Sequence, residues 1–150
     1  MPCKFQWSRL ESLTAPELHA LLAARESVFV VEQRCIYQEA DALDAHAWHL
    51  RAFKDGNLAA CARVVDAGHK YPEPSIGRVM TLPAFRAQGL GHALMQEAIR
   101  FTELHHPHAG IRISAQAYLQ DFYASLGFVP EGEGYDEDGI PHLEMYKPAP

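Results

Sequence analysis

One stretch decides how this chain folds: Arg78-Val79-Met80-Thr81-Leu82-Pro83-Ala84-Phe85-Arg86-Ala87-Gln88-Gly89-Leu90-Gly91-His92-Ala93-Leu94-Met95. It predicts a buried strand, a turn at Pro83, a loop with two glycines and then an amphipathic helix. Gly89 and Gly91 allow a ligand to approach the backbone closely. The helix turns unpaired N–H groups and the positive end of its dipole towards the loop. The loop is therefore a candidate anion site, although a strand-to-helix connection that binds nothing has the same pattern.

Length and composition predict one domain over residues 1–150. The chain has 150 residues, of which 48% are apolar, and this is enough for a single buried core. No apolar run approaches the ~20 residues that cross a membrane. Lys4, Arg9 and Glu11 interrupt the region where a signal peptide would lie. We therefore expect a cytoplasmic protein without a membrane partner.

The charge balance restricts the partners. A formal net charge of −6 disfavours nucleic-acid binding, which usually needs a basic surface. If the glycine loop binds phosphate groups, local donors must overcome this overall field. Arg78, Arg86 and the loop amides are the candidates for those donors.

The cysteines and histidines do not predict a metal site. The three cysteines are widely spaced, which fits buried thiols better than a disulfide framework or a pair of metal ligands. Histidines lie at 105, 106 and 108, but no carboxylate or cysteine directly adjoins them. A helix C-terminus favours cationic side chains in any case, so no metal is expected.

Hydrophobic periodicity predicts a mixed α/β (α+β) domain. The order strand, helix, hairpin, strand, helix, strand, helix, strand, strand indicates a mostly antiparallel twisted sheet with a central parallel pair, flanked by helices. Asp55-Gly56-Asn57 predicts the hairpin turn, and the acidic residues 131–138 predict a turn between the last two strands. Strands are expected at 4–9, 47–54, 58–65, 75–82, 111–115, 128–130 and 142–146, and helices after Thr14, at 89–104 and at 119–126.

Arg25 departs from the pattern of the first helix. It lies in the apolar stripe that Leu18, Leu21, Leu22 and Val28 form at helical spacing. The favoured interpretation is a side chain that extends along the apolar surface to reach solvent. The alternative is a charge held for a partner or a ligand.

Two motifs resemble the GNAT superfamily of N-acetyltransferases. Arg86-x-x-Gly89-x-Gly91, after a proline and an aromatic residue, is similar to the acetyl-CoA loop of that family. Downstream, Gln116 precedes a run from Phe122 to Phe128, Phe-Tyr-Ala-Ser-Leu-Gly-Phe, that resembles the family's second motif. The family often has Asn where Gln116 stands. Further upstream, Arg25 with Phe29-Val30-Val31-Glu32-Gln33 and Cys35-x-Tyr37 resembles the ElaA-type subfamily.

This resemblance implies a GNAT-like fold and acetyl transfer from acetyl-CoA to a primary amine by direct attack in a ternary complex. It implies that Tyr123 assists the leaving thiolate. Glu32, Glu39 and His49 are the candidates for the base, with Asp41 and Asp44 as further acids of the same segment. The residues that the resemblance assigns to acetyl-CoA are Val79, Met80, Thr81, Arg86, Ala87, Gln88, Gly89, Leu90, Gly91, His92, Gln116, Phe122 and Tyr123.

Two other functions remain open from the sequence. Arg25, Phe29 and the acidic residues Glu39, Asp41 and Asp44 also resemble acyl-homoserine lactone synthases, although those chains are usually longer and lack this glycine loop. A non-catalytic acyl-CoA binding or sensing module is the other alternative. The expected partner is a small-molecule or peptide amine acceptor, without nucleic acid, and a homodimer is possible.

Overall fold

The computed structural model describes residues 3–150. Strand β1 (Lys4–Arg9) is followed by helix α1 (Ala15–Glu26). The capping box of α1 joins Thr14 and Glu17 through two reciprocal hydrogen bonds. Helix α1 continues as a π-helical turn, Ser27–Glu32. The elements are β1 Lys4–Arg9, α1 Ala15–Glu26, β2 Ala47–Lys54, β3 Asn57–Val65, β4 Ser75–Thr81, α2 Leu90–His105, β5 Ile111–Gln116, α3 Gln120–Ala124, β6 Val129–Glu137 and β7 Ile140–Lys147.

The strands form two antiparallel sheets, with the orders β1-β2-β3-β4 and β5-β7-β6. Asp55 and Gly56 both have positive φ and form the predicted turn between β2 and β3. The predicted α/β class and mostly antiparallel arrangement are thus confirmed. In the expected central pair, β4 and β5 meet only at their beginnings, and no ladder joins them among the described residues.

β4 and β5 touch at their beginnings and then diverge. The Arg112 amide donates to the carbonyl of Pro74 at 3.2 Å, and the Arg112 guanidinium lies 2.9 Å from Glu73. These contacts fix the beginnings of the two strands together. The separation leaves backbone of both strands free of a strand partner on one side, which is what an extended ligand requires to enter between them.

The core lies between α2 and the two sheets. Leu94, Met95 and Ala98 of α2 are fully buried, together with Leu50 of β2 and Ile113 of β5. Leu90, at the first position of α2, is also buried and fixes the start of the helix against this core. The helix N-terminus, and the glycine loop before it, are therefore held in place by packing.

The acidic segment near the C-terminus folds differently from the prediction. Residues 131–137 belong to β6, and the turn is confined to Asp138 and Gly139, which have φ of 53° and 81°. Asp-Gly with two positive φ values is the sequence preferred in two-residue hairpin turns. The predicted turn over 131–138 is wrong because acidic side chains also suit a solvent-exposed strand, and every residue of β6 is exposed. Of the described residues, no helix is both long enough and apolar enough to span a membrane.

Candidate active site

A cavity of about 600 Å³ opens where β4 and β5 diverge. One wall consists of residues 76–81 of β4, and the opposite wall includes Ile113, Ser114 and Gln116 of β5. The π-helical turn contributes Phe29 and Glu32, while Tyr123 comes from α3. A hydrogen bond of 3.3 Å from Gln116 to Gln33 crosses between the two sides. The structure thus brings the predicted residues Val79, Met80, Thr81, Arg86, Gln116, Tyr123 and Glu32 to one cavity.

The glycine loop has the backbone conformation of an anion site. Ala87 and Gly89 have φ of 62° and 74°, and left-handed residues in such a loop direct neighbouring amides into one concavity. Among residues 3–150, no backbone carbonyl accepts from the amides of 87–92, and Ala93 is the first to bond back, to Gly89 at 3.2 Å. A Cβ placed on Gly91 would lie 3.9 Å from Thr81 Oγ1, so the loop adjoins the open end of β4.

Two cations lie beside this loop. Lys54, at the end of β2, donates to the side chain of Gln88. Arg86 donates from Nε to the Thr81 carbonyl at 2.9 Å. Lys54 was not predicted, because residues 54 and 88 are distant in sequence and meet only in the folded chain. Of the other residues assigned to acetyl-CoA, His92 is exposed on the first turn of α2, and Phe122 is half-buried beside it.

Arg86 and Glu32, predicted for different roles, are paired with one another. Two guanidinium nitrogens of Arg86 lie 2.6 and 2.7 Å from the Glu32 carboxylate. Both side chains are about 40% exposed, so solvent screens the pair and it adds little to stability. The hydrogen bonds from Arg86 lower the pKa of Glu32. A carboxylate in this state is a weaker proton acceptor than a free one.

Tyr123 is buried with its ring against Phe122 and Phe128. Burial raises the pKa of Tyr123 to about 12, so its hydroxyl stays protonated at neutral pH and can donate a hydrogen bond. Burial therefore makes Tyr123 a weaker acid than an exposed tyrosine, and transfer of its proton to a thiolate is uphill. The geometry therefore favours hydrogen-bond donation over full proton transfer.

Beneath β4 lies a buried ion cluster of equal and opposite charges. Arg25 is only 1% exposed and lies 2.7 Å from Glu39 and 2.9 Å from Asp44. The favoured prediction of a side chain that reaches solvent is therefore wrong, because these carboxylates compensate the charge inside the fold. We define the ion cluster as Arg25, Arg63, Arg78, Glu39, Asp41 and Asp44.

The ion cluster fixes the acids that were candidates for the base. Glu39 is 7% exposed and lies 2.7 Å from both Arg25 and Arg78. Burial opposes ionisation of Asp44, but hydrogen bonds from Arg25 outweigh it and lower the pKa of Asp44. Neither acid lines the cavity. Both therefore serve to compensate buried arginines in this structure.

Arg78 connects the ion cluster to the wall of the cavity. β4 has a bulge here, since Cys61 pairs with Met80 while Arg63 pairs with Gly77. Arg78 has φ of 48°, a left-handed conformation that costs an L-residue about 1–2 kcal/mol. Its guanidinium contacts Glu39, Asp41 at 3.1 Å and the ring of Tyr37. These contacts hold the bulged backbone just before Val79 and Met80.

His49 lies apart from the cavity. It is 1% exposed in β2, and its Nε2 is 2.9 Å from the carbonyl of Asp44. Burial lowers the pKa of His49, so the ring is neutral at physiological pH. The structure therefore does not bring this candidate base together with the acetyl-CoA residues.

The cavity also contains residues that the sequence interpretation missed. Tyr37 lines it, as do Glu137 and Asp138 at the end of β6 and His142 at the beginning of β7. His142 is opposite Gln116 in the β5–β7 ladder, and it is 7% exposed. The Asp138-Gly139 dipeptide would have predicted the hairpin that carries these residues, but not that it packs on the cleft.

The chain matches the family model described as an acetyltransferase (GNAT) domain over residues 17–148. Protein ElaA of Escherichia coli is 39% identical, with coverage of 93% of this chain and 94% of ElaA. The crystal structure of E. coli ElaA has a TM-score of 0.90, with coverage of 97% and 99%. The fold inferred from the two motifs, and the subfamily inferred from the segment that begins at Arg25, are thereby confirmed.

Two further solved structures are informative. An acyl-CoA N-acyltransferase from Pseudomonas aeruginosa has a TM-score of 0.92 and 42% identity, with coverage of 97% of this chain and 99% of that chain. A CoA-dependent acyl-homoserine lactone synthase, BjaI, has a TM-score of 0.79 but 15% identity, with coverage of 97% and 82%. The likeness to BjaI shows a shared fold only.

Proposed function

The chain belongs to the GNAT acetyltransferase family and its ElaA-type subfamily, and from that premise we propose that it transfers an acetyl group from acetyl-CoA to a primary amine. The amine attacks the thioester directly in a ternary complex. The observation that carries the proposal is the left-handed, amide-rich loop 86–91, placed at the open end of the β4–β5 cleft. The cytoplasm is the proposed place of action.

The donor binds mainly through backbone in this proposal. The pyrophosphate occupies the concavity formed by the amides of Ala87, Gln88, Gly89, Leu90, Gly91 and His92, at the positive end of α2. The pantetheine arm extends between β4 and β5, where Val79 to Thr81 offer backbone groups that lack a partner on the β5 side. Gln116 and Phe122 complete the contacts on the opposite side.

The reacting thioester then lies between Met80 and Tyr123. Leu82 donates to Ala59, and Met80 lies opposite Cys61 in the same ladder, so the Met80 amide faces β3. An amide on the β5 side of β4, from Val79 or Thr81, donates to the thioester oxygen and stabilises the oxyanion of the tetrahedral intermediate. When the carbon–sulfur bond breaks, the Tyr123 hydroxyl donates a hydrogen bond to the thiolate. Its high pKa means that Tyr123 stabilises the charge without losing its proton.

Two experiments test this proposal together. Isothermal titration calorimetry measures acetyl-CoA and CoA binding, and a thiol-release assay measures turnover across a panel of primary amines: a polyamine, amino acids, peptides with free N-termini, lysine and an aminoglycoside. We expect acetyl-CoA binding and amine-dependent thiol release from at least one member. Tight CoA binding with no release across the panel favours a sensing module instead.

A binding measurement distinguishes the proposed acetyltransferase from an acyl-homoserine lactone synthase. Such an enzyme takes S-adenosylmethionine as the acceptor, so calorimetry with that molecule is the discriminating measurement. The proposed acetyltransferase gives no S-adenosylmethionine binding.

A further inference from the structure

We propose that His142, supported by Glu137, accepts the proton of the acceptor amine, and that the acceptor enters as a cationic alkyl ammonium past the β6–β7 turn. This inference rests on the proposed function. It places the base in the C-terminal hairpin, away from Glu32, Glu39 and His49.

A backbone carbonyl fixes the orientation of the His142 imidazole. Nδ1 of His142 lies 2.8 Å from the carbonyl of Ile140. A carbonyl only accepts hydrogen bonds, so Nδ1 carries the ring proton. Nε2 of the neutral ring is then the basic nitrogen, in a side chain that is 7% exposed and lines the cavity.

The other ring nitrogen of His142, Nε2, faces a carboxylate. Nε2 lies 3.3 Å from Oε2 of Glu137. Between a neutral imidazole nitrogen and a carboxylate, two acceptors face one another and no hydrogen bond forms. Once Nε2 receives a proton, the same contact becomes a charged hydrogen bond. Glu137 is therefore placed to accept a hydrogen bond from the ring only after Nε2 has received a proton.

Carboxylates surround the part of the cavity that His142 lines. Glu137 and Asp138 line the cavity beside His142, and Asp136 precedes them in β6. Tyr135 stacks on the His142 ring. The rest of the lining carries Lys70, Arg63, Arg78 and the Arg86–Glu32 pair, and its other titratable groups are Cys35, Tyr37, Tyr118 and Tyr123. Arg63 and Arg78 are compensated inside the ion cluster. Lys70 then faces three carboxylates of the hairpin, and the remaining negative charge attracts an ammonium group rather than a carboxylate substrate.

The proposed reaction begins with the loss of a proton from the substrate ammonium. The ammonium transfers one proton to His142 Nε2, and its lone pair then attacks the thioester carbon. The carbon–sulfur bond breaks, and the thiolate leaves with its hydrogen bond from Tyr123. The second proton of the attacking nitrogen goes to the thiolate, and His142 releases its own to solvent. The overall products are the amide, CoA and one proton.

The turnover test compares His142→Gln with wild type and with His19→Gln, an exposed histidine on α1, using an amine that is active in the panel. We expect thiol release at pH 7 to fall about 100-fold in His142→Gln, with acetyl-CoA affinity within twofold of wild type and His19→Gln unchanged. The deficit should shrink by roughly tenfold per pH unit from pH 7 to 9, because an amine of pKa ~10.4 then deprotonates in solution. A deficit that is absent, or constant with pH, overturns the inference.

A second readout does not depend on turnover. Long-range ¹H–¹⁵N correlation NMR of the imidazole nitrogens assigns the tautomer of His142 in the neutral form. Protonated Nδ1 with bare Nε2 is expected, and the reverse tautomer overturns the proposal even if every amine in the panel is inactive. Inactivity of wild type together with the expected tautomer refutes the proposed function and, with it, the role of His142.

Discussion

The two ends of the cavity are built in different ways. The proposed donor end relies mainly on backbone: residues 79–81 of β4 line the cavity, and the adjoining loop amides of 87–92 have no backbone carbonyl partner among residues 3–150. The acceptor end consists of side chains from separate segments: Tyr37, Lys70, Glu137, Asp138 and His142. Backbone recognition depends on conformation, and side-chain recognition depends on residue identity. Substitutions should therefore separate the two ends by the quantity they change: donor affinity at one end and amine turnover at the other.

The largest effect is expected on stability, at Arg25 of the ion cluster. Replacement of Arg25 by Ala leaves Glu39 with Arg78 alone and Asp44 with Arg63 alone, so one buried negative charge is uncompensated, which costs about 3–5 kcal/mol of unfolding free energy. Chemical denaturation monitored by circular dichroism measures this change. The control is Arg100→Ala, because Arg100 forms a solvent-screened pair with Glu97 on the surface and its removal should leave the unfolding free energy nearly unchanged. Equal effects of the two substitutions would contradict a structural role for the ion cluster.

The next largest effect is expected at Tyr123, where the two ends meet. Tyr123→Phe keeps the ring in its packing and removes only the hydroxyl. We expect turnover to fall about 10- to 100-fold, as for loss of one hydrogen bond to a developing charge, while acetyl-CoA affinity stays close to wild type. Steady-state kinetics with a saturating amine and calorimetry with acetyl-CoA measure the two quantities. Unchanged turnover removes Tyr123 from the mechanism.

The smallest effect is expected as a difference in stability between two substitutions at Arg78. Both Arg78→Ala and Arg78→Gly remove the guanidinium from the ion cluster. Only glycine adopts the observed φ of 48° without strain, so the Gly variant should be more stable than the Ala variant by about 1 kcal/mol. Thermal and chemical unfolding of the matched pair measure the difference. A more stable Ala variant would mean that the bulge relaxes when the side chain is removed.

The same contrast explains how much the sequence predicts. The donor end was predictable because its glycines, strand and helix follow one another along the chain, and backbone conformation is a local property. The two motifs also gave the correct fold. Arg25 was misinterpreted because helical periodicity locates a buried face but does not reveal which distant carboxylates meet it. His142 was missed because its pairing with Glu137 depends on the β6–β7 register and on how that hairpin packs on the cleft.

Direct attack in a ternary complex is the central claim, and initial velocities measured over a grid of acetyl-CoA and amine concentrations test it most directly. Cys35 lines the cavity with its sulfur near the carbonyl of Asp138, so a covalent route through a protein thiol is the physical alternative. Direct transfer predicts double-reciprocal lines that intersect, with no acetylated protein in intact-mass spectra. Parallel lines, with an acetyl group on the protein in the absence of amine, would contradict the account.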